Sequence, residues 1–245
     1  MDSINMLFYT NKICPYCQRV QILLDDAAID CDRIEIDFTA RPPLLEKLSP
    51  QGKIPILISN GRVIFESSVI LEFLNELDGG RYFSPDMHER AVMRSLCSTV
   101  GRIHDDVRVY FTAKTASEFD YAWKRVTDRF SNVVERGGDC AFYGERLSMF
   151  GIYLAPLVIL LQALSEGPRE FFASPSRGTT LSQRLLQTPV VARVNDESYR
   201  VRLLRFVLST KSYLSENSSH LLNELLDGHG SDESKAADYL RIASS

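Results

Sequence analysis

Cys14-Pro15-Tyr16-Cys17 stands between a short apolar run and an amphipathic segment, and that placement constrains the fold more than any other feature of the chain. Asn5 to Tyr9 reads as a buried strand. Tyr16, Val20, Leu23, Leu24 and Ala27 recur at helical spacing, and Pro15 suits a first helical position, whose N–H has no intrahelical partner anyway. A cysteine at the start of such a helix meets unpaired amides and the positive end of the helix dipole, both of which favour an anion. The thiolate is the nucleophile, so Cys14 is expected to be the reactive sulfur, its pKa lowered by this placement. Cys17 lies one turn further on, within reach to form a disulfide. Two other readings compete. Half of a zinc site would need a second half, about four ligands in all. Cys31, Cys97 and Cys140 are isolated, however, and the four histidines form no ligand pair, so no metal is expected. A pair of small buried residues without chemistry is the other reading, and the strand-to-helix position speaks against it.

The chain has 245 residues, enough for one large or two modest domains, and its 44% apolar and 24% charged content is ordinary for a globular protein. A net charge of −4 argues against nucleic acid as the main partner. Five cysteines, an odd count that includes a Cys-x-x-Cys, point to a reducing compartment. The first residues carry no basic stretch followed by an apolar one. Gly151 to Leu164 is too short to span a bilayer and reads as a buried core helix. A cytoplasmic protein with no membrane partner is expected.

The first part of the chain alternates strand and helix. After the Cys14 helix, Cys31 to Ile36 alternates like a half-buried strand. Pro42 and Pro43 open a short helix, and Ile54 to Ile58 and Val63 to Phe65 flank Asn60-Gly61, a strong hairpin signal because both turn positions need positive φ. Ser67-Ser68 then reads as the cap of a helix carrying Ile70, Phe73, Leu74 and Leu77. The order strand, helix, strand, helix, hairpin, helix is a compact α/β layout. Beyond a linker at Arg81 to Asp86 the chain reads as helical throughout. Val92, Leu96, Val100, Ile103, Val107 and Tyr110 define one long helix, and Phe119, Ala122, Trp123, Val126, Phe130 and Val133 its antiparallel partner. Ser148 is a plausible cap for the buried helix, and further helices are expected around 181–186, 189–195 and 201–226.

Three motifs in order resemble the cytosolic glutathione transferases: Cys14-Pro15-Tyr16-Cys17-Gln18-Arg19-Val20 is similar to the family's first-helix motif, Gly52-Lys53-Ile54-Pro55-Ile56-Leu57 to its cis-proline loop, and Glu66-Ser67-Ser68-Val69-Ile70-Leu71 to its glutathione-carboxylate motif. The resemblance implies a fold that is α/β plus all-α, an N-terminal thioredoxin-like domain followed by a C-terminal helical bundle. The expected division is a glutathione-binding domain at 1–79, a linker at 80–86, a helical domain at 87–228 and a flexible tail at 229–245. It also implies glutathione as cosubstrate with no bound cofactor. Lys53, the backbone of Ile54 beside Pro55, Glu66 and Ser67 would hold it: Pro55 by turning the Ile54 backbone outward, Ser67 with the helix amides as a carboxylate site, Glu66 as a partner for the γ-glutamyl amine. One departure is visible. Ser148 is followed three residues on by Gly151, so the carboxylate that completes a capping box is missing, which weakens the cap by about 1 kcal/mol.

A cysteine where most members carry Tyr or Ser resembles the omega-like and glutaredoxin-like branches. That implies thiol–disulfide exchange of thiol transferase or dehydroascorbate reductase type, with Cys14 as nucleophile and either glutathione or Cys17 resolving the intermediate. Conjugation of glutathione to a small apolar electrophile is the enzymatic alternative, and a non-catalytic adaptor on the same fold is the other. Tyr16, His104, Arg108, Tyr110 and Phe111 are candidates for the pocket of the small-molecule electrophile or disulfide substrate. A homodimer is expected from the resemblance.

Overall fold

The computed structural model describes residues 4–38, 40–165, 177–219, 223 and 226; the expected tail at 229–245 lies outside these. A four-stranded sheet runs in the order β2-β1-β3-β4, from β1 (Met6–Thr10), β2 (Asp32–Glu35), β3 (Ile56–Ser59) and β4 (Arg62–Phe65). β2 is parallel to β1 across helix α1 (Pro15–Asp26), whereas β3 is antiparallel to β1, with Tyr9 opposite Ile56, and to β4. Asn60 and Gly61 take φ of 48° and 75° at the β3–β4 turn, as the Asn-Gly signal required. One face of the sheet packs Phe8 and Leu57 onto α1 and α3 (Ser67–Leu77). The other closes a small cluster of Tyr9, Ile36, Leu45 and Ile56 with α2 (Leu44–Leu48).

Corrections to the sequence reading fall at edges and ends. All four residues of β2 are exposed, Ile34 included, so its alternation does not mark a half-buried strand; apolar burial there begins at Ile36. Helix α3 is capped by Glu66, without a side-chain bond, and Ser67 is its first residue. Leu77 is exposed, while Ile70 and Leu74 are fully buried.

The helical half is built on α4 (Met87–Thr112) and α5 (Ala116–Gly137), capped at Asp86 and Thr115 by side-chain bonds to first-turn amides. Asp106 on α4, nearly buried, bonds Arg125 at 2.8 Å and Arg129 at 2.6 Å on α5. At their centre runs α6 (Met149–Ser165), apolar on all sides, packed against α1, α4 and α7 (Arg177–Gln187). Its first turn does without a capping box. The Ser148 hydroxyl donates to the Cys140 carbonyl and accepts from the Gly151 amide at 3.2 Å, while the Ser148 amide donates to the Ala141 carbonyl at 3.0 Å. Two-residue strands β5 (Phe142–Tyr143) and β6 (Arg146–Leu147), unforeseen in the sequence, turn the chain toward this cap.

Among the described residues the helix expected over 201–226 is broken between α9 (Glu197–Ser209) and α10 (Tyr213–Asn217), after the short α8 (Pro189–Val194). The break is Lys211 at φ 48°, followed by a Ser212–Ser215 capping box. Arg202 on α9 pairs with Glu35 of β2, and Asp196 with Lys12 at 3.6 Å in the loop leading to Cys14. One hydrophobic core runs from Phe8 through α6 to Leu204, so both halves share it. Among the described residues no helix is long and apolar enough to cross a membrane.

Candidate active site

Cys14 is the N-cap of α1, half-buried, with extended backbone, and Pro15 takes the first helical position behind it. Its carbonyl accepts the first helical bonds from Cys17 and Gln18, at 3.0 and 2.9 Å. Its thiol is held below the ordinary value, chiefly by a hydrogen bond from the Cys17 side chain, then by the Cys17 and Tyr16 amides and the Arg19 charge, against the opposing effect of burial. Cys17 is the opposite case. It is fully buried, and burial, with the neighbouring Cys14 sulfur, pushes its thiol well up. Both are free thiols. One half-buried sulfur held low thus sits beside one fully buried sulfur pushed up.

The Ile54–Pro55 bond is cis, and ladder pairing starts only at Ile56, which leaves Ile54 outside the sheet. Lys53 is exposed in the same loop. Glu66 is exposed and held at φ 66°, a left-handed conformation uncommon for a residue with a side chain, while Ser67 beside it is buried. The Ser67 hydroxyl does not serve as a cap: it accepts a hydrogen bond from the Arg19 guanidinium.

The pocket candidates separate. Tyr16 donates to Asp105 on α4 at 3.3 Å and lies 5.6 Å from the His104 ring, so α1 and α4 bring these two together. Burial and the Asp105 charge push the Tyr16 phenol up to about 12. His104 is buried; with the Val100 carbonyl 3.1 Å from Nδ1, that nitrogen carries the proton, and Nε2 has no partner among the described residues. Burial and the Arg19 charge lower its pKa to about 3, so the imidazole is neutral. Tyr110 and Phe111 lie elsewhere, buried in an aromatic cluster with Phe119 and Trp123, and Arg108 is exposed on α4. Arg19 was missed as a site residue. The signal was a cation three residues after Tyr16 on the apolar stripe of α1, where solvent cannot reach it.

Comparison with known proteins accords with this layout. Residues 8–82 match the family model for the glutathione S-transferase N-terminal domain. A probable glutathione transferase of Aplysia californica is 31% identical over 65 residues, 26% of this chain and 71% of that protein. The stringent starvation protein A homolog of Haemophilus influenzae is 35% identical over 71 residues, 29% of this chain, and the match spans 34% of that protein. Glutathione S-transferase omega-1 of Sus scrofa is 24% identical over 161 residues, 64% of this chain and 67% of that protein. Among solved structures, a tau class glutathione S-transferase of mango superposes with TM-score 0.74 at 19% identity, covering 83% of this chain and 98% of its own. Glutathione transferase Omega 3C of Trametes versicolor superposes with TM-score 0.69 at 21% identity, covering 78% and 88%. A thioredoxin-like sheet with a cysteine heading its first helix, a mostly helical second half and these matches lead to one conclusion: the chain belongs to the glutathione transferase family.

Proposed function

We infer that this chain is a glutathione-dependent transferase working by thiol–disulfide exchange at Cys14, with glutathione as cosubstrate. The observation that carries the reading is the asymmetry of the two sulfurs, a partly exposed Cys14 held low by a hydrogen bond from a buried Cys17 held high. Similarity to an omega-class relative supports it. The Cys14 thiolate attacks the glutathione sulfur of a mixed disulfide; a Cys14–glutathione disulfide forms, and the substrate leaves as a thiolate that takes a proton from water. A second glutathione thiolate then attacks the glutathione sulfur bound to Cys14, releasing oxidised glutathione and the Cys14 thiolate. Glutathione's carboxylate and amine lie at Ser67 and Glu66, and its backbone pairs with Ile54 beside the cis Pro55. Lys53 adds charge at the rim, and the substrate meets Cys14 beside the half-buried Tyr16.

The test is Cys14→Ser in a thiol-transfer assay on a small glutathione mixed disulfide, run beside conjugation to an aromatic electrophile. Loss of thiol transfer is expected, and retention of most of it refutes the mechanism. Saturable glutathione binding with no turnover in either assay favours an adaptor instead. The reading includes a homodimer formed over β4, α3 and α4, where Phe65, Val69 and Val92 are exposed. Light scattering giving the mass of one chain at micromolar concentration counts against it.

A further inference from the structure

Glycines elsewhere in this chain have a visible reason to be glycine. Those at 52, 61, 79, 80 and 144 hold positive φ, and a β-carbon at Gly137 or Gly151 would meet a neighbour at 2.6 or 2.2 Å. Gly101 has neither reason. It sits in the interior of the 26-residue α4, where glycine is a poor helix former, and a β-carbon there would meet nothing within 4 Å. Its neighbours along the helix show which way the empty side faces, because residues four and seven apart share a flank. Arg94, one heptad before Gly101, pairs with Glu72 of α3 at 2.8 Å. Asp105, one turn after it, accepts from the Tyr16 hydroxyl of α1 at 3.3 Å. Gly101 therefore lies on the flank of α4 turned toward α1 and α3, between two fastenings that about 16 Å of helix separates.

We propose that Gly101 is a specificity-determining residue, whose missing side chain keeps the approach to Cys14 along α4 open for a second substrate whose thiol belongs to a peptide chain. The proposal rests on the functional reading above and deepens it by naming that substrate class. One end of the open stretch is the Tyr16–Asp105 contact, and Tyr16 stands two residues after Cys14, so an occupant of this flank lies beside the nucleophilic helix. A compact thiol uses little of such a length, whereas an extended peptide of about five residues spans it. Both ends are polar, Arg94 with Glu72 at one and Asp105 at the other, which suits a peptide backbone better than an apolar electrophile. The exchange keeps its balance: the Cys14 thiolate takes the glutathione, and the peptide's cysteine leaves as a thiolate that takes a proton from water. A side chain at position 101 would occupy the space the peptide needs and leave the sulfur chemistry alone.

The experiment compares a glutathionylated peptide of about six residues with the glutathione mixed disulfide of 2-mercaptoethanol, as substrates of the native protein, Gly101→Ala and Gly101→Leu. Gly101→Leu should raise KM for the peptide about tenfold or more with kcat held, and move KM for the small disulfide less than about twofold. Gly101→Ala should shift the ratio of the two KM values in the same direction and melt about 1–4 °C higher, so it decides the question if the leucine variant fails to fold. A KM ratio unchanged from the native protein overturns the proposal. So does weaker S-methylglutathione binding in Gly101→Leu, which would assign the space to glutathione itself, and so does a changed mass in light scattering, which would assign it to a second copy of the chain. Clearance is also read without turnover, from Cys14 alkylation by iodoacetamide and by a peptide carrying a maleimide, followed by peptide mass. Gly101→Leu should slow only the peptide reagent, about tenfold. Thiol transfer surviving in Cys14→Ser would sink the functional reading while leaving that slowing in place. Equal alkylation rates with Cys14→Ser inactive would sink the inference alone.

Discussion

Gly151 occupies the position where a carboxylate would complete the capping box of α6, and the geometry shows why none can stand there. A β-carbon at Gly151 would lie 2.2 Å from the Ala141 carbonyl oxygen and 3.1 Å from a Leu147 methyl. The carbonyl cannot swing aside, because the Ser148 amide holds it at 3.0 Å and the Ser148 hydroxyl holds the neighbouring Cys140 carbonyl. Gly151→Ala therefore sets two effects against each other. Alanine in a helix is better than glycine by about 0.5–1 kcal/mol. Overpacking a rigid site costs about 1–3 kcal/mol, and a clash with backbone belongs at the upper end. The net is a loss of about 2 kcal/mol, equivalent to a Tm lower by about 4–8 °C for a chain of this size. Gly151→Asp, which restores the capping box on paper, should lose at least as much. Urea unfolding followed by circular dichroism, with a thermal melt beside it, measures both. A Gly151→Ala protein as stable as the parent would refute the argument, because the propensity gain would then have no opposing clash.

Three further predictions follow from the buried groups. His104 has a folded pKa of about 3, below the ordinary value of about 6.5, so the unfolded chain binds the extra proton between these limits. The stability this neutral imidazole contributes is complete above about pH 6.5 and is lost by about 1.4 kcal/mol per unit as pH falls toward 3. His104→Leu should flatten the slope of unfolding free energy between pH 6.5 and 4, and an unchanged slope would refute it. Asp106→Ala removes two charge-assisted bonds between α4 and α5 and should cost about 2–3 kcal/mol in urea unfolding, whereas a loss under about 0.5 would show the pairs to be idle. Cys17→Ala deletes the donor that most lowers the Cys14 thiol, so the alkylation midpoint of Cys14 should rise, and a fixed midpoint would assign the acidity to the helix amides instead.

Local signals were read well where a single segment carried its own explanation. Pro15 behind Cys14, Asn60-Gly61 between apolar runs, and the three-and-four spacing along α4 and α5 each name their structure without reference to anything distant. What failed depends on neighbours. The alternation in Cys31 to Ile36 says that one face could be buried, but at the sheet edge only Ile36 finds a partner layer. Helical periodicity carried the reading straight through Lys211, because a positive φ in a lysine has no sequence signature. Tyr110 and Phe111 share α4 with His104, yet spacing could not tell the aromatic cluster from the contact with Tyr16. Ser67 was legible as a helix start, but its partner Arg19 is 48 residues away in sequence, beyond the reach of any local rule.

The salt bridge between Lys12 and Asp196 ties the loop just ahead of Cys14 to the start of α9, and Arg202 with Glu35 fastens the same helix to the edge strand. The Lys12 and Asp196 side chains are about half exposed, 46% and 45%. Each such pair contributes about 0–1 kcal/mol, and the screening length falls from about 8 Å at physiological ionic strength to about 3 Å in molar salt. The apolar core that both halves share does not weaken in that way. Ionic strength thus acts on the approach to the nucleophile well before it reaches the fold, and concentrated salt slackens the clasp over Cys14 while the helices behind it stay packed.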